Sequence, residues 1–124
     1  MKQTVKSILN EIDDPLVIYT TVVSIIDPKV LTQLTTCSNI HVRRAIACIP
    51  WIPWKILSKL ITDEDVVVRK FIALNPQCPY KQLVQYTGDK SNSVVVAAKQ
   101  ALLRKKTQAQ YECVRKLLSK TLNR

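Results

Sequence analysis

The segment Val42-Arg43-Arg44-Ala45-Ile46-Ala47-Cys48-Ile49-Pro50-Trp51-Ile52-Pro53 is followed 26 residues later by Val68-Arg69-Lys70-Phe71-Ile72-Ala73-Leu74-Asn75-Pro76-Gln77-Cys78-Pro79. Both read V-R-x-x-I-A-x-x-P-x-x-P. The same offset carries Leu31 to Leu57 to Leu83, Leu34 to Leu60 to Tyr86, and Val42 to Val68 to Val94. It also carries Lys29 to Lys55 to Lys81. Self-similarity at a period of this size is the mark of stacked helical repeats.

Each unit has a physical reading. Pro53 suits the first turn of a short helix, where its fixed φ fits and its missing N–H has no partner to lose. Ile56, Leu57 and Leu60 then form an apolar stripe at helical spacing. Thr62 or Asp63 is the expected N-cap of a second helix, with Glu64 and Asp65 in its first turn, where the helix dipole favours acids. That helix is expected to reach about Leu74, with Val68, Phe71, Ile72 and the candidate Val67 inward. Asn75 suits a left-handed C-terminal turn, and Pro76 forbids continuation. Leu83, Tyr86 and a cap region at Asp89 repeat the scheme. One such pair of helices cannot bury its apolar face alone, so neighbouring pairs must stack.

The pattern V-R-x-x-x-A-x-N-P-x-x-P-x-x-x-L resembles the variant leucine-rich repeat, a relative of HEAT repeats. The resemblance is good over residues 27–89. It implies an all-α chain, a short right-handed solenoid of two-helix units of about 26 residues. The units fall at 1–26, 27–52, 53–78 and 79–104, with a basic capping helix over 107–124, all within one domain. The 79–104 unit keeps Leu83 and Asp89 but has Val95 where the pattern has Arg43 and Arg69. Residues 1–26 fit loosely, through Val5, Ile8 and the run Leu16 to Ile25. An iron–sulfur segment occurs in one family member. It is not carried over, because no cysteine precedes Cys37.

The chain of 124 residues is long enough for one core without staples, and 47% of its residues are apolar. A single glycine, Gly88, argues against an all-β fold rich in tight hairpins. Cys37, Cys48, Cys78 and Cys113 include no C-x-x-C pair, so neither a zinc knuckle nor a redox dithiol is expected. The N-terminus lacks the apolar run of a signal peptide, and Pro15 to Ile26 is too short and polar to span a bilayer. A cytoplasmic location with reduced thiols is the expectation.

Net charge is +10, and residues 90–124 hold nine basic side chains against the single acid Glu112. Lys90, Lys99, Arg104, Lys105, Lys106, Arg115, Lys116, Lys120 and Arg124 lie there. Tyr111, Val114, Leu118 and Leu122 share one helical face, expected to cap the last repeat. Lys116, Lys120 and Arg124 share another. Like charges crowded in this way repel, which points to an anionic partner, whether nucleic-acid phosphate, an acidic protein surface or an anionic membrane. The simpler role is that basic residues near a helix C-terminus favour the dipole and keep an end cap soluble.

Other candidates are weighed against simpler roles. Lys29, Lys55 and Lys81 would form a row able to track phosphates, or simply a solvated face. Trp51, lying between prolines, is the better exposed anchor, while Trp54 aligns with Tyr80 and is expected to pack. Arg43 and Arg69 are expected to bridge to acids such as Asp63 or Asp65. Cys37, His41 and Cys48 could supply three metal ligands but lack a fourth, so no metal or cofactor is expected. No Gly-rich phosphate loop or acid–base pair stands out, so no enzyme and no small-molecule substrate are expected. The leading expectation is a binding module for an acidic protein surface, with sequence-independent DNA or RNA backbone binding as the alternative. The exposed repeat ends also leave a homodimer open.

Overall fold

The computed structural model describes residues 4–122, and within them the chain is all-helical. Eight α-helices follow one another: α1 (Val5–Asn10), α2 (Pro15–Val23), α3 (Pro28–Leu34), α4 (Ile40–Cys48), α5 (Trp54–Leu57), α6 (Val66–Leu74), α7 (Tyr80–Tyr86) and α8 (Asn92–Leu122). A single 3₁₀ turn, Ser58–Leu60, prolongs α5. Arg124 lies outside the described residues, as does the side chain of Leu122.

Short helices need defined starts, because each leaves its first N–H groups without intrahelical partners. Thr4 and Ser7 cap α1 reciprocally. Asp14 and Asp27 cap α2 and α3, each followed by a proline that fits the first turn. Asn39 caps α4 through the His41 N–H at 2.9 Å. For α6 the cap is Asp65, whose Oδ2 accepts from the Val68 N–H at 3.1 Å. Thr62 and Asp63, the expected caps, lie too early. Asp63 instead makes a local turn by accepting from the Asp65 N–H at 2.9 Å.

The even helices pack in sequence, α2 on α4, α4 on α6 and α6 on α8. The short helices α1, α3 and α5 touch in the same order, while α7 rests on α6 and α8. The apolar positions spaced by 26 residues line the core. Leu31, Leu57 and Leu83 are fully buried, as are Val42, Val68 and Val94, and Leu34, Leu60 and Tyr86 are buried beside them. The Tyr86 hydroxyl meets its polar requirement by donating to the Ile61 carbonyl at 2.8 Å. In α1 the inward residue is Leu9, while Val5 and Ile8 are exposed. In α6, Ile72 and Ala73 join Val68 in the core, and Phe71 packs at its edge.

Asn75 departs from its expected left-handed turn. Its backbone is extended, with φ −73° and ψ 131°. Its buried amide nitrogen donates to the Ala47 and Ile49 carbonyls, both at 2.9 Å. Those carbonyls lie where α4 ends, so one side chain satisfies acceptors that a helix C-terminus leaves orphaned. The residue is held by this bridge and not by a backbone twist.

The expected capping helix also differs. No break occurs near residue 107, and α8 runs as one helix of 31 residues. Val94, Ala97, Ala98 and Ala101 bury its first part. Tyr111, Val114 and Leu118, expected to cap the repeats, are exposed instead. The reason is reach. At about 1.5 Å of rise per residue, Tyr111 lies roughly 15 Å beyond Ala101, the last buried residue of α8. An unbroken helix carries these three past the helices on which its first part packs.

Candidate binding surface on the C-terminal helix

The first part of α8 is built from small residues, which lets α6 and α7 approach closely. Leu102 is partly buried at the edge, and Lys105 is the last residue with partial cover. From Lys106 to Thr121 every side chain is exposed. This half holds together through local preference: it contains no Gly or Pro and is rich in Ala, Leu, Gln, Lys and Arg. Glu112 precedes Lys116 by four positions, the favourable order for a pair along a helix.

Lys99, Arg104, Lys106, Arg115, Lys116 and Lys120 are all exposed, and Lys105 is half-buried. Among the described residues none of these seven enters a salt bridge. Lys105 and Lys106 border a largely apolar groove of about 530 Å³ with Tyr80, Leu102, Leu103 and Ala109. On another side Arg104 and Lys105 border a recess of about 290 Å³ with Leu74, Pro76 and Gln108. The basic cluster is therefore brought together on one element, at its root and along its free half.

The lysine row is gathered only in part. Lys29 and Lys55 line one groove of about 400 Å³ with Pro28, Pro53 and Lys59. Lys81 is exposed on α7 and does not line it. Lys59 was missed in the sequence; its spacing of four from Lys55 on a helical turn is the signal that locates it. Trp51 is 46% exposed in the link between α4 and α5 and lines neither of those two grooves, and Trp54 packs at the core edge.

The remaining arginines are occupied structurally. Arg43 meets Asp63, with Nε to Oδ2 at 2.8 Å, and its Nη1 donates to the Cys37 and Ser38 carbonyls at 2.8 and 3.2 Å. Arg69 repeats this, with Nε to Asp89 Oδ2 at 3.0 Å and Nη1 to the Asp63 and Glu64 carbonyls at 2.7 and 3.2 Å. Arg44 adds a pair with Asp65 at 2.7 and 3.1 Å that the sequence did not suggest. Both Asp65 and Asp89 are held below the ordinary carboxyl range. For Asp65 the Arg44 hydrogen bond leads, outweighing burial. For Asp89 burial is the largest influence and pushes upward, but Arg69, the Ser91 N–H and nearby cations together prevail. A cleft of about 450 Å³ lies beside the Arg69–Asp89 pair, lined also by Ile61, Gln82 and Tyr86.

Burial raises the Cys48 thiol and pushes Cys78 up to about 11, so both stay protonated near neutrality. Cys37 is buried and donates to Asn10 Oδ1, and Cys113 is exposed on α8. Among the described residues no group of three His, Cys, Asp or Glu side chains is placed to hold a metal ion. Nor is any helix among them long and apolar enough to cross a membrane. No protein-family model, curated protein or solved structure matches the chain.

Proposed function

We propose that this chain is a non-enzymatic helical-repeat binding module that takes an acidic protein partner on α8. The observation that carries this reading is the unpaired basic cluster of Arg104, Lys105, Lys106, Arg115, Lys116 and Lys120 on an exposed helix. These side chains outnumber the one acid of the same half and repel one another, which favours an outside anionic group as their partner. The proposal includes a short right-handed solenoid of units of about 26 residues, as the resemblance to variant leucine-rich repeats implies. It is supported by bonds that recur at that offset, Arg43 to Asp63 and Arg69 to Asp89. A cytoplasmic setting belongs to the same proposal and rests on the cysteine spacing.

A second reading, sequence-independent binding of a DNA or RNA backbone, is favoured by the separate groove of Lys29, Lys55 and Lys59. Two cationic surfaces can neutralise more phosphates than one. Fluorescence anisotropy separates the readings. Labelled polyglutamate, duplex DNA and RNA are titrated across a salt series, against the wild-type chain and a variant with Lys105, Lys106, Lys116 and Lys120 changed to Gln. The leading reading expects polyglutamate binding that the variant loses. Tight duplex binding with a log–log salt slope of about −0.9 per phosphate neutralised, lost only when Lys29, Lys55 and Lys59 are also changed, would establish the second. Affinity unchanged in the α8 variant removes α8 as the site.

A further inference from the structure

The free half of α8 carries apolar side chains as well as charge, and nothing among the described residues covers them. Tyr111 is 70% exposed, Val114 54%, Leu117 60% and Leu118 58%. Charge alone does not call for four large apolar groups in water, since removing such groups from water is favourable. Their spacing of three and four places them on one side over about two helical turns, the spacing by which one helix seats on another.

The edges of that stripe are basic. At about 100° per residue, Arg104 and Arg115 fall along one edge and Lys106 and Lys120 along the other. Glu112, the single acid of this half, falls on the far side of the helix. Leu103 and Lys106 also line the apolar groove beside Tyr80, so the stripe leads from the free end toward a recess on the body.

We propose that this stripe is a docking seam for an acidic amphipathic helix of a protein partner. Its apolar side packs on Tyr111, Val114, Leu117 and Leu118, and its carboxylates meet Arg104, Arg115, Lys106 and Lys120. The inference rests on the reading of α8 as the binding element and names the form of the partner. Charge decides among occupants. A second copy of this chain would bring basic edges against basic edges, which disfavours self-pairing. A lipid surface holds a helix in proportion to the apolar area that it buries, and Thr107 and Gln110 interrupt this face between Leu103 and Tyr111.

The test uses the full chain and two peptides of equal length. One has Leu at a and d and Glu at e and g over three heptads, and the other is polyglutamate. Glu on both edges keeps the first from pairing with itself. The expected result is about tenfold or tighter binding of the Leu/Glu peptide over polyglutamate. The pair Val114→Ser and Leu118→Ser should erase that difference without altering the circular-dichroism melt of the chain, because both positions are exposed. Equal affinity for the two peptides overturns the seam and leaves the acidic-partner reading standing. Failure of both to bind overturns both readings. Serine-sensitive binding to phosphatidylserine vesicles, with no peptide preference, overturns the proposal in favour of a lipid surface. Serine-sensitive self-association by sedimentation overturns it in favour of a second copy.

Discussion

Arg69 is the most deeply buried charge in the molecule's described part, with its side chain 5% exposed, and Asp89 opposite is 10% exposed. Desolvation makes such a pair a weak source of net stability, but removing one partner strands the other. Asp89→Ala is therefore expected to destabilise by about 3–5 kcal/mol in urea denaturation. Leu57→Ala, an apolar truncation at 0% exposure, should cost about 2–5 kcal/mol. A loss within error at either position would contradict its assigned packing. The same carboxylates set an acid dependence. Asp65 and Asp89 have folded values below the usual range. Their contribution is thus complete above the unfolded value of about 4 and is lost as pH falls through the folded values. Melting temperature should drop below about pH 4, and Asp65→Asn with Asp89→Asn should flatten the drop. An unchanged slope in that double variant would locate the acid sensitivity elsewhere. The ladder also accounts for the departures from the repeat. Arginine stands at 43 and 69, where an aspartate follows twenty positions later. At position 17 there is Val17, and twenty positions on is Cys37; at 95 there is Val95, and twenty positions on is Arg115. Where no carboxylate waits, no guanidinium is buried. At Cys37 the role passes to Asn10, whose Oδ1 accepts from Cys37, Ser38 and the Asn39 N–H.

At the level of elements, α8 joins two regimes in one helix. Its first part is fixed by the core, and its second part rests on propensity alone, which is marginal for an isolated helix of this length. A chain ending at Thr107 should keep its melting temperature within about 2 °C, since the lost side chains bury nothing. A larger fall would mean that residues 108–122 pack on the body. Amides of 108–120 should exchange rapidly with solvent and slow only when a partner binds. This division marks what the sequence could disclose. Leu31, Leu57 and Leu83 were legible because an apolar residue at a repeated position needs only to be inside. The partners of Asn75 and Asp65 were not, because a polar group's partner lies some twenty to thirty residues away and only the fold chooses it. Periodicity likewise showed that 107–122 has an apolar side. It could not say that α8 continues unbroken, which carries that side past the body.

Across the whole molecule, packing passes from each even helix to the next, α2 to α4 to α6 to α8. Contacts of this serial kind make stability a sum over neighbouring interfaces. Asp89→Asn should therefore expose Val94 to Ala101 to hydrogen exchange first and leave α4 protected. Uniform loss of protection would instead describe one indivisible core. The molecule also has unlike ends. Leu16, Val17 and Tyr19 leave α2 apolar and nearly uncharged on its exposed side, while α8 is basic. The middle unit has a consequence for how such a chain can lengthen. Residues 53–78 contain Asp63, which answers Arg43 behind it, and Arg69, which is answered by Asp89 ahead. If that segment were copied in tandem, the new aspartate would fall twenty positions after the old Arg69, and the new arginine twenty before Asp89, the same separation as in the existing pairs. Every guanidinium would find its carboxylate at once. A fragment inserted between Arg69 and Asp89 would break their separation of twenty, whereas a whole copy adds a pair and preserves the old spacing.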